Sequence, residues 1–509
     1  MTITPELDLD AVEVDRDVAD LLPRAFTRDH QMVPIARQGN KLLVAIAHAD
    51  DGSIALRIKA ACGCTAQFVR VRDDALQRRL TAPIESRPDH VLTAVIGTQA
   101  AADDDNAPPT SPSTLEADGP VALWVERLLR MAIAEGASDI HLEPQGDGLR
   151  VRLRQDGFLQ AIDSPSPDLA AGICSRIKIM AQMDISERRK PQDGRFSLPT
   201  GHGPAVDLRI SSCPTLFGEK LVIRLLDPAQ VTHTIDELGY EAEQLDTVLA
   251  ALRRPHGLIL VTGPTGSGKT VSLYAALRLL NETHRNISSV EDPVEIQLDG
   301  INQVNLNLKA GLDFPVALRA LLRQDPDVLM IGEIRDHETA SIAIKAAQTG
   351  HLVLSTLHTN SAPESISRLA NMGIPAYSLA SSLNLVIAQR LLRRLCNACK
   401  LPDRLGQPYP VAVQDQPDTT ERFPPRAWRA CGCSRCVNGY RGRTGIYQVM
   451  PVTPTVQSLI LDGSSTNRLR AHCRHTGIVD LHGAGLLKVA RGLTSLDEVL
   501  RVAGDRDHA

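Results

Sequence analysis

The sequence predicts an α/β chain of several domains, and three observations carry that expectation. The first is length: 509 residues exceed what one ordinary core organises, so about two to four domains are expected. The second is pattern, because short apolar, β-prone runs alternate with longer segments whose apolar residues recur at helical spacing. The third is a glycine-rich loop at 263–270, set between one such run and one such segment. Apolar residues make up 43% of the chain, enough for each domain to bury a core.

In order, residues 1–96 hold alternating strands at Lys41–Ile46 and Ala66–Val71 among amphipathic segments, the mark of a small α/β domain. Residues 97–120 are rich in Ala, Asp, Pro, Ser and Thr and read as a linker. A second α/β domain is expected over 121–230. It has helices at Val121–Ala134 and Asp168–Met183 and strands at Leu149–Leu153, Val206–Ile210 and Lys220–Leu226. The largest domain takes 231–509, with a cysteine-bearing subdomain at 395–445 and a helical end at 446–509.

Leu258 to Val261 reads as a buried parallel strand, and Val271 to Leu280 as a helix. Between them stand Gly263, Pro264, Thr265, Gly266, Ser267, Gly268, Lys269 and Thr270. The glycines let the backbone wrap closely around a polyphosphate. Lys269 supplies a point charge to the β- and γ-phosphates, and the Thr270 hydroxyl can join a Mg²⁺ shell. The helix N-terminus adds partial positive charge. The chain is expected to bind a nucleoside triphosphate.

Three further segments belong with this loop. Val328 to Glu333 is an apolar strand ending in an acid, which suits a neighbouring strand of a parallel sheet. As a second strand of that sheet, it would set Glu333 at the C-terminal edge near the γ-phosphate, able to orient an attacking water or help hold Mg²⁺ through water. Glu291, Asp292 and Glu295 surround a proline-fixed turn, where paired acids could polarise water or bind metal. His351 to His358 is a strand with His358 just past its end, the place for a γ-phosphate sensor. Phosphoryl transfer also needs arginine. Arg319 and Arg323 lie four apart on one helical face, and Arg209 and Arg224 lie on strands of the preceding domain.

Cys396 with Cys399 and Cys433 with Cys436 form two CxxC pairs. In a chain without a signal peptide such pairs read as a tetrahedral zinc site rather than disulfides. Cys431 is a rival thiol, and a Pro-rich insertion, Leu401 to Pro425, separates the pairs. Cys62, Cys64, Cys174, Cys213 and Cys473 read as core or surface residues. Aromatics at 3% and a net charge of −5 argue against a nucleic-acid binder. No stretch approaches the roughly 20 apolar residues that span a bilayer, and the acidic Met1 to Asp20 has no signal-peptide core. A cytoplasmic protein that meets a membrane through partners is expected.

Together the loop, Glu291–Glu295, Gly332–Asp336 and Thr349–Asn360 resemble the four nucleotide boxes of the secretion ATPases, the motors of type II secretion and type IV pilus machines. The resemblance extends to Ser138–His141, Pro191–Arg195, both cysteine pairs and Gly439–Tyr447, and covers Val121 to Gly504. It implies a homohexamer of RecA-like P-loop domains, each preceded by a PAS-like domain. ATP sits between the two, and their relative rotation drives an inner-membrane platform protein. By this resemblance Lys269 and Thr270 bind phosphates and Mg²⁺, Glu333 is the Walker B acid, and Glu295 is the candidate for polarising water. His351 and His358 match the histidine box. Arg209 and Arg224 match arginines that reach the phosphates from the preceding domain, with Arg319 and Arg323 as further candidates. The N-terminal domain is implied to be an adaptor for a membrane-bound partner.

The four-cysteine site resembles assembly motors and sets the chain apart from retraction ATPases. Gly300–Gly311 and the run from Cys436 to Arg443 resemble the pilus branch, whereas overall length with one short N-terminal domain resembles the type II secretion branch. The pilus branch is favoured. Two other classes are a DNA-translocating motor of the same fold and a scaffold that binds ATP without turning it over. The acidic balance opposes the first, and the acids Glu291, Glu295 and Glu333 oppose the second.

Overall fold

The computed structural model describes residues 27, 32–38, 41–46, 58, 65–72, 76, 119–199, 205–226, 233–403 and 427–504. The expected linker, the Pro-rich insertion, Cys62 and Cys64 lie wholly or largely outside the described residues. The chain divides into two compact units, Met1–Arg87 and Pro88–Ala509.

In the first unit β1 (Met32–Gln38) pairs antiparallel with β2 (Lys41–Ile46), which pairs parallel with β3 (Thr65–Arg70). Period-two alternation turns Leu42, Val44 and Ile46 to one face. There they bury with Met32 and Ile58 against Ala66 and Phe68.

The second unit opens with a module that runs α1 (Pro120–Ala134), β4 (Asp139–Pro144), β5 (Leu149–Gln155), β6 (Phe158–Asp163) and α2 (Pro167–Met180). It continues with β7 (Gln192–Leu198), β8 (Val206–Thr215) and β9 (Gly218–Leu226). The sheet order is β6-β5-β4-β9-β8-β7, antiparallel throughout. On β8, Val206, Leu208 and Ile210 pack with Val125, Leu129, Ile173 and Ile177 of the two helices. Alternation then forces Arg209 onto the face away from α1 and α2, and Arg224 of β9 joins it for the same reason. The pleat aims these two arginines out of their own core.

The nucleotide-binding module follows with α3 (Ala242–Leu252), β10 (Gly257–Thr262), α4 (Lys269–Leu280), β11 (Ile287–Glu291), β12 (Asn302–Asn305) and α5 (Phe314–Leu321). Next come β13 (Val328–Ile331), α6 (His337–Gln348), β14 (Leu352–Leu357), α7 (Ala362–Asn371), α8 (Ala376–Ser382) and β15 (Leu383–Leu395). The short strands β16 (Leu401–Pro402) and β17 (Trp428–Arg429) flank the cysteine region. Last are β18 (Tyr440–Pro451), α9 (Pro454–Leu461), α10 (Thr466–His475), α11 (Leu481–Ala490) and α12 (Leu496–Ala503). Seven strands order as β12-β11-β13-β14-β10-β15-β18, parallel except for β18. Leu258 and Leu260 pack with α5, α6 and α7 on one face, while Ile259 and Val261 pack with α3 and α4 on the other. The strand expected at Leu258–Val261 is therefore buried on both sides, as its unbroken apolar run implies.

Register positions the site. Thr262 pairs with Leu357, Ile331 with Ser355, and Val290 with Ile331. The residues after β10, β11, β13 and β14 thus emerge together at the carboxyl edge, where open α/β sheets bind ligands.

Candidate active site and metal centre

The glycine-rich loop turns from β10 into α4, which begins at Lys269, two residues earlier than the spacing suggested. Gly268 caps it at φ 88°. A Cβ on Gly268 would lie 2.8 Å from Gln389 Nε2, and one on Gly263 (φ 153°) would lie 2.6 Å from the Gln389 carbonyl. Glycine is required at both positions because β15 passes directly beneath the loop. The Gln389 side chain accepts a hydrogen bond from the Ser272 hydroxyl at 2.8 Å, which ties β15 to α4. Lys269 Nζ donates to the carbonyls of Gly263 (2.8 Å) and Pro264 (3.0 Å). Burial lowers the Lys269 pKa, Glu333 opposes that shift, and Arg390 adds to it. The hydroxyls of Ser267 and Thr262 are buried with no hydrogen-bond partner. A glycine-turned loop at a helix N-terminus, with two unspent buried hydroxyls, fits a bound phosphate.

Glu333 follows β13 onto the same edge. It is largely buried and forms an ion pair with Arg335, while its other oxygen stands 3.5 Å from His358 Nε2. Burial lowers the His358 pKa, as does the Lys269 charge, whereas Glu333 raises it. A cavity of about 380 Å³ opens here, lined by Glu333, Ile334, Arg335, Leu357, His358 and Arg368. Next to it, the turn after β11 carries Glu295. Arg209 crosses from β8 to meet it, with Nη1 2.9 Å from Glu295 Oε2 and Nη2 donating to the Val294 carbonyl at 2.7 Å. Glu333 and His358 thus share the electrostatic surroundings of Lys269, while Glu295 and its partner Arg209 stand at the β11 end of the same carboxyl edge.

Other expected residues lie elsewhere. His351 precedes β14, and its Nδ1 lies 3.0 Å from the Ala346 carbonyl. The whole strand separates it from His358, roughly 20 Å at the usual rise, so the two histidines stand at opposite ends of β14. Glu291 is buried and accepts hydrogen bonds from Tyr274, Ser289 and Gln303, which removes it as a free acid for water or metal. Arg319, exposed on α5, pairs with Glu338, and Arg323, exposed in the turn after α5, donates to the Arg319 carbonyl. Arg224 sits beside Arg209 in the sheet but is held by Asp139 at 3.1 Å.

Strand pairing adds what sequence spacing does not show. Arg195, Arg209 and Arg224 stand directly opposite one another across β7, β8 and β9. Such a like-charge row is destabilising unless anions offset it, and only pairing register brings it together. Arg390 follows Gln389 on β15 and donates to Asn360 Oδ1 at 3.1 Å, so a second cation flanks Lys269. Arg390 reads in sequence as one arginine of a basic run. Its alternation relative to Gln389 was the available clue.

The four expected zinc ligands do meet. Cys396, Cys399, Cys433 and Cys436 place their sulfurs within 4.8 Å of one another. Sγ–Sγ distances are 3.9 Å for Cys396–Cys433, 3.7 Å for Cys399–Cys436 and 3.6 Å for Cys433–Cys436. A tetrahedron with Zn–S bonds of about 2.3 Å has edges of about 3.8 Å, so the thiols fit zinc. Cys431 is exposed and is not one of the clustered four. The pairs are brought together because β15 and β18 are antiparallel neighbours, with Leu395 opposite Tyr440.

A parallel sheet covered by helices on both faces, with a phosphate loop after β10, an acid after β13 on the same edge and a cation from a preceding module, defines a P-loop nucleoside triphosphatase. The type II/IV secretion system protein family model matches residues 114–501, and an MshEN domain model matches residues 4–82. The type IV pilus assembly ATPase PilB of Pseudomonas aeruginosa is 45% identical, covering 98% of this chain and 88% of that one. The type II secretion system protein E of Aeromonas hydrophila is 42% identical, covering 94% of this chain and 96% of that one. Among solved structures, the pilus retraction motor PilT with bound ADP superposes with a TM-score of 0.52 at 25% identity, covering 75% of this chain and 98% of that one. The chain belongs to the type II/IV secretion system protein family.

Proposed function

We propose that this chain is a hexameric motor ATPase that drives type IV pilus assembly at the inner membrane. The observation that carries the reading is the meeting of phosphate loop, Glu333, His358 and Glu295 at one sheet edge, with Arg209 arriving from the preceding module. Lys269 holds the β- and γ-phosphates, and the Thr270 hydroxyl and Glu333 would hold Mg²⁺, which supplies charge to offset the phosphates. Glu295 orients and deprotonates the attacking water. His358, kept neutral, reads the γ-phosphate from the end of β14. Arg209, with Arg224 beside it, neutralises charge that develops on the transferring group. Exchange of Arg209 between Glu295 and a phosphate would couple hydrolysis to movement of one module against the other.

The PilB relative, matched along 98% of this chain, supports pilus assembly over secretion. The near-full-length type II secretion relative supports that second reading. No helix among the described residues is long and apolar enough to cross a membrane, so contact with a membrane platform and an adaptor, the latter through the N-terminal unit, goes through partner proteins on the cytoplasmic side. Replacing the chromosomal copy with Glu333→Gln tests the choice of machine. Loss of surface fibres with normal protein level supports pilus assembly. Intact fibres with failed protein export support the secretion reading instead.

A further inference from the structure

The geometry points to Tyr274 as a positioning residue for ATP hydrolysis, acting through the Glu295 turn and itself held by Glu291. The inference rests on the reading of Glu295 as the carboxylate that orients water. Tyr274 lies on α4, five residues after Lys269, and is fully buried. Its hydroxyl donates to Glu291 Oε2 at 2.6 Å and accepts the Glu295 N–H at 3.2 Å. The other Glu291 oxygen accepts from the Ser289 hydroxyl at 2.7 Å and the Gln303 amide at 3.2 Å. With only 3% of its surface exposed, Glu291 spends its charge on orienting a phenol rather than on nucleotide, water or metal.

Other amides of the same turn are held from β12. Asn305 Oδ1 accepts from the Val294 N–H at 2.6 Å, and Gln303 Oε1 accepts from the Leu298 N–H at 2.7 Å. Among these amides, that of Glu295 is the one tied to the helix whose first residues grip the phosphates. Tyr274 therefore fixes the spacing between the phosphate-binding helix and the water-orienting carboxylate. Burial first, and then the Glu291 charge, push the phenol pKa up, so it stays protonated and keeps donating to Glu291. This assignment explains why the first acid of the Glu291–Glu295 segment is sequestered although the segment as a whole belongs to the site.

The test uses the full chain with Tyr274→Phe, which keeps the ring in its slot and removes the hydroxyl. A misplacement near 1 Å costs about a hundredfold in rate, so kcat is expected to fall by about 10- to 100-fold while the Kd for ADP stays within about twofold of wild type. In a Glu295→Gln background, Tyr274→Phe is expected to add no further loss, because it acts through Glu295. Wild-type kcat in Tyr274→Phe overturns the proposal, as does an equal loss in both backgrounds. Loss of ADP binding together with kcat overturns it too, since that marks a merely structural role. Wild-type turnover by Glu295→Gln overturns the Glu295 reading, and the Tyr274 proposal falls with it. A slow Glu295→Gln beside a full-rate Tyr274→Phe overturns the Tyr274 proposal alone.

Discussion

The Arg393 guanidinium stacks on the Phe158 ring at 4.0 Å from its centroid, and on its other side Tyr440 stands at the same distance. Phe158 belongs to the β5–β6 hairpin of the preceding module, and Arg393 and Tyr440 belong to the nucleotide module. Asp156, at the hairpin turn, accepts from the Gly442 N–H at 2.7 Å and pairs with Arg443. Behind the clamp, Glu498 accepts from Arg393 and Arg501. One strand, β15, thus carries Gln389 under the phosphate loop and Arg393 in the clamp, and Cys396 of the metal centre follows directly after it. Module docking, nucleotide site and metal centre share a single structural rail.

Removing Arg393 leaves Glu498, which is 1% exposed, without its main buried partner. Breaking such a pair costs about 3–5 kcal/mol. Arg393→Ala is therefore expected to lower the melting temperature sharply. Phe158→Ala, which loses cation–π contacts to Arg393 and Arg501 but no ion pair, costs about 1–2 kcal/mol. Thermal melts of both variants should show this order, and an equal effect would mean that the ring and not the ion pair holds the clamp.

Metal removal should act on the same region. Four thiolates around zinc contribute folding energy, and Cys396 and Cys436 flank the strands that form the clamp. A chelator that strips the metal is expected to lower the melting temperature and to expose the segment around 395–440 to protease. Metal content is measured alongside. An unchanged melting curve after verified zinc loss contradicts the assignment.

Acid should weaken the preceding module through Glu143. Burial alone would raise its pKa, but hydrogen bonds from Arg152 and Lys220 outweigh that and hold it down to about 2, from an ordinary 4.5. The unfolded chain therefore binds a proton first as pH falls. The stabilisation is complete above pH 4.5 and is lost as pH drops toward about 2. Chemical unfolding across this window should show a shallower decline in Glu143→Gln than in wild type. Parallel declines would remove Glu143 as a contributor.

Arg209 and Glu295 are each about one-third exposed, and an ion pair of that kind contributes only about 0–1 kcal/mol. Arg209→Ala should melt like wild type. Its turnover should nonetheless fall by about a hundredfold, the scale of losing one transition-state charge contact. A variant that melts early and keeps its rate would assign Arg209 to docking instead.

Much of this architecture is legible in the residues. The apolar run Leu258–Val261, the glycine spacing after it and the acid ending at Glu333 specify strand, loop and a second strand of the same sheet almost without context, although β14 lies between the two strands. The cysteine pairs are equally local signals. What the sequence does not reveal depends on direction along the chain or on tertiary pairing. His351 and His358 share one segment, yet a strand sends its two ends to opposite edges of a sheet. Arg319 and Arg323 have helical spacing, but α5 ends at Leu321 and leaves Arg323 in the following turn. Tyr274 and Glu291 were illegible in their roles, because a buried hydrogen bond between an α4 side chain and a β11 carboxylate leaves no periodic trace. Phe158 and Arg393 are 235 residues apart and meet only through module docking.

Steady-state ATP hydrolysis by the full-length wild type and Glu333→Gln, with the oligomeric state determined at each protein concentration, tests the central claim most directly. Turnover that rises as the hexamer forms and disappears in Glu333→Gln is the predicted result. Full turnover by a dilute, demonstrably monomeric sample, or undiminished turnover in Glu333→Gln, would contradict it.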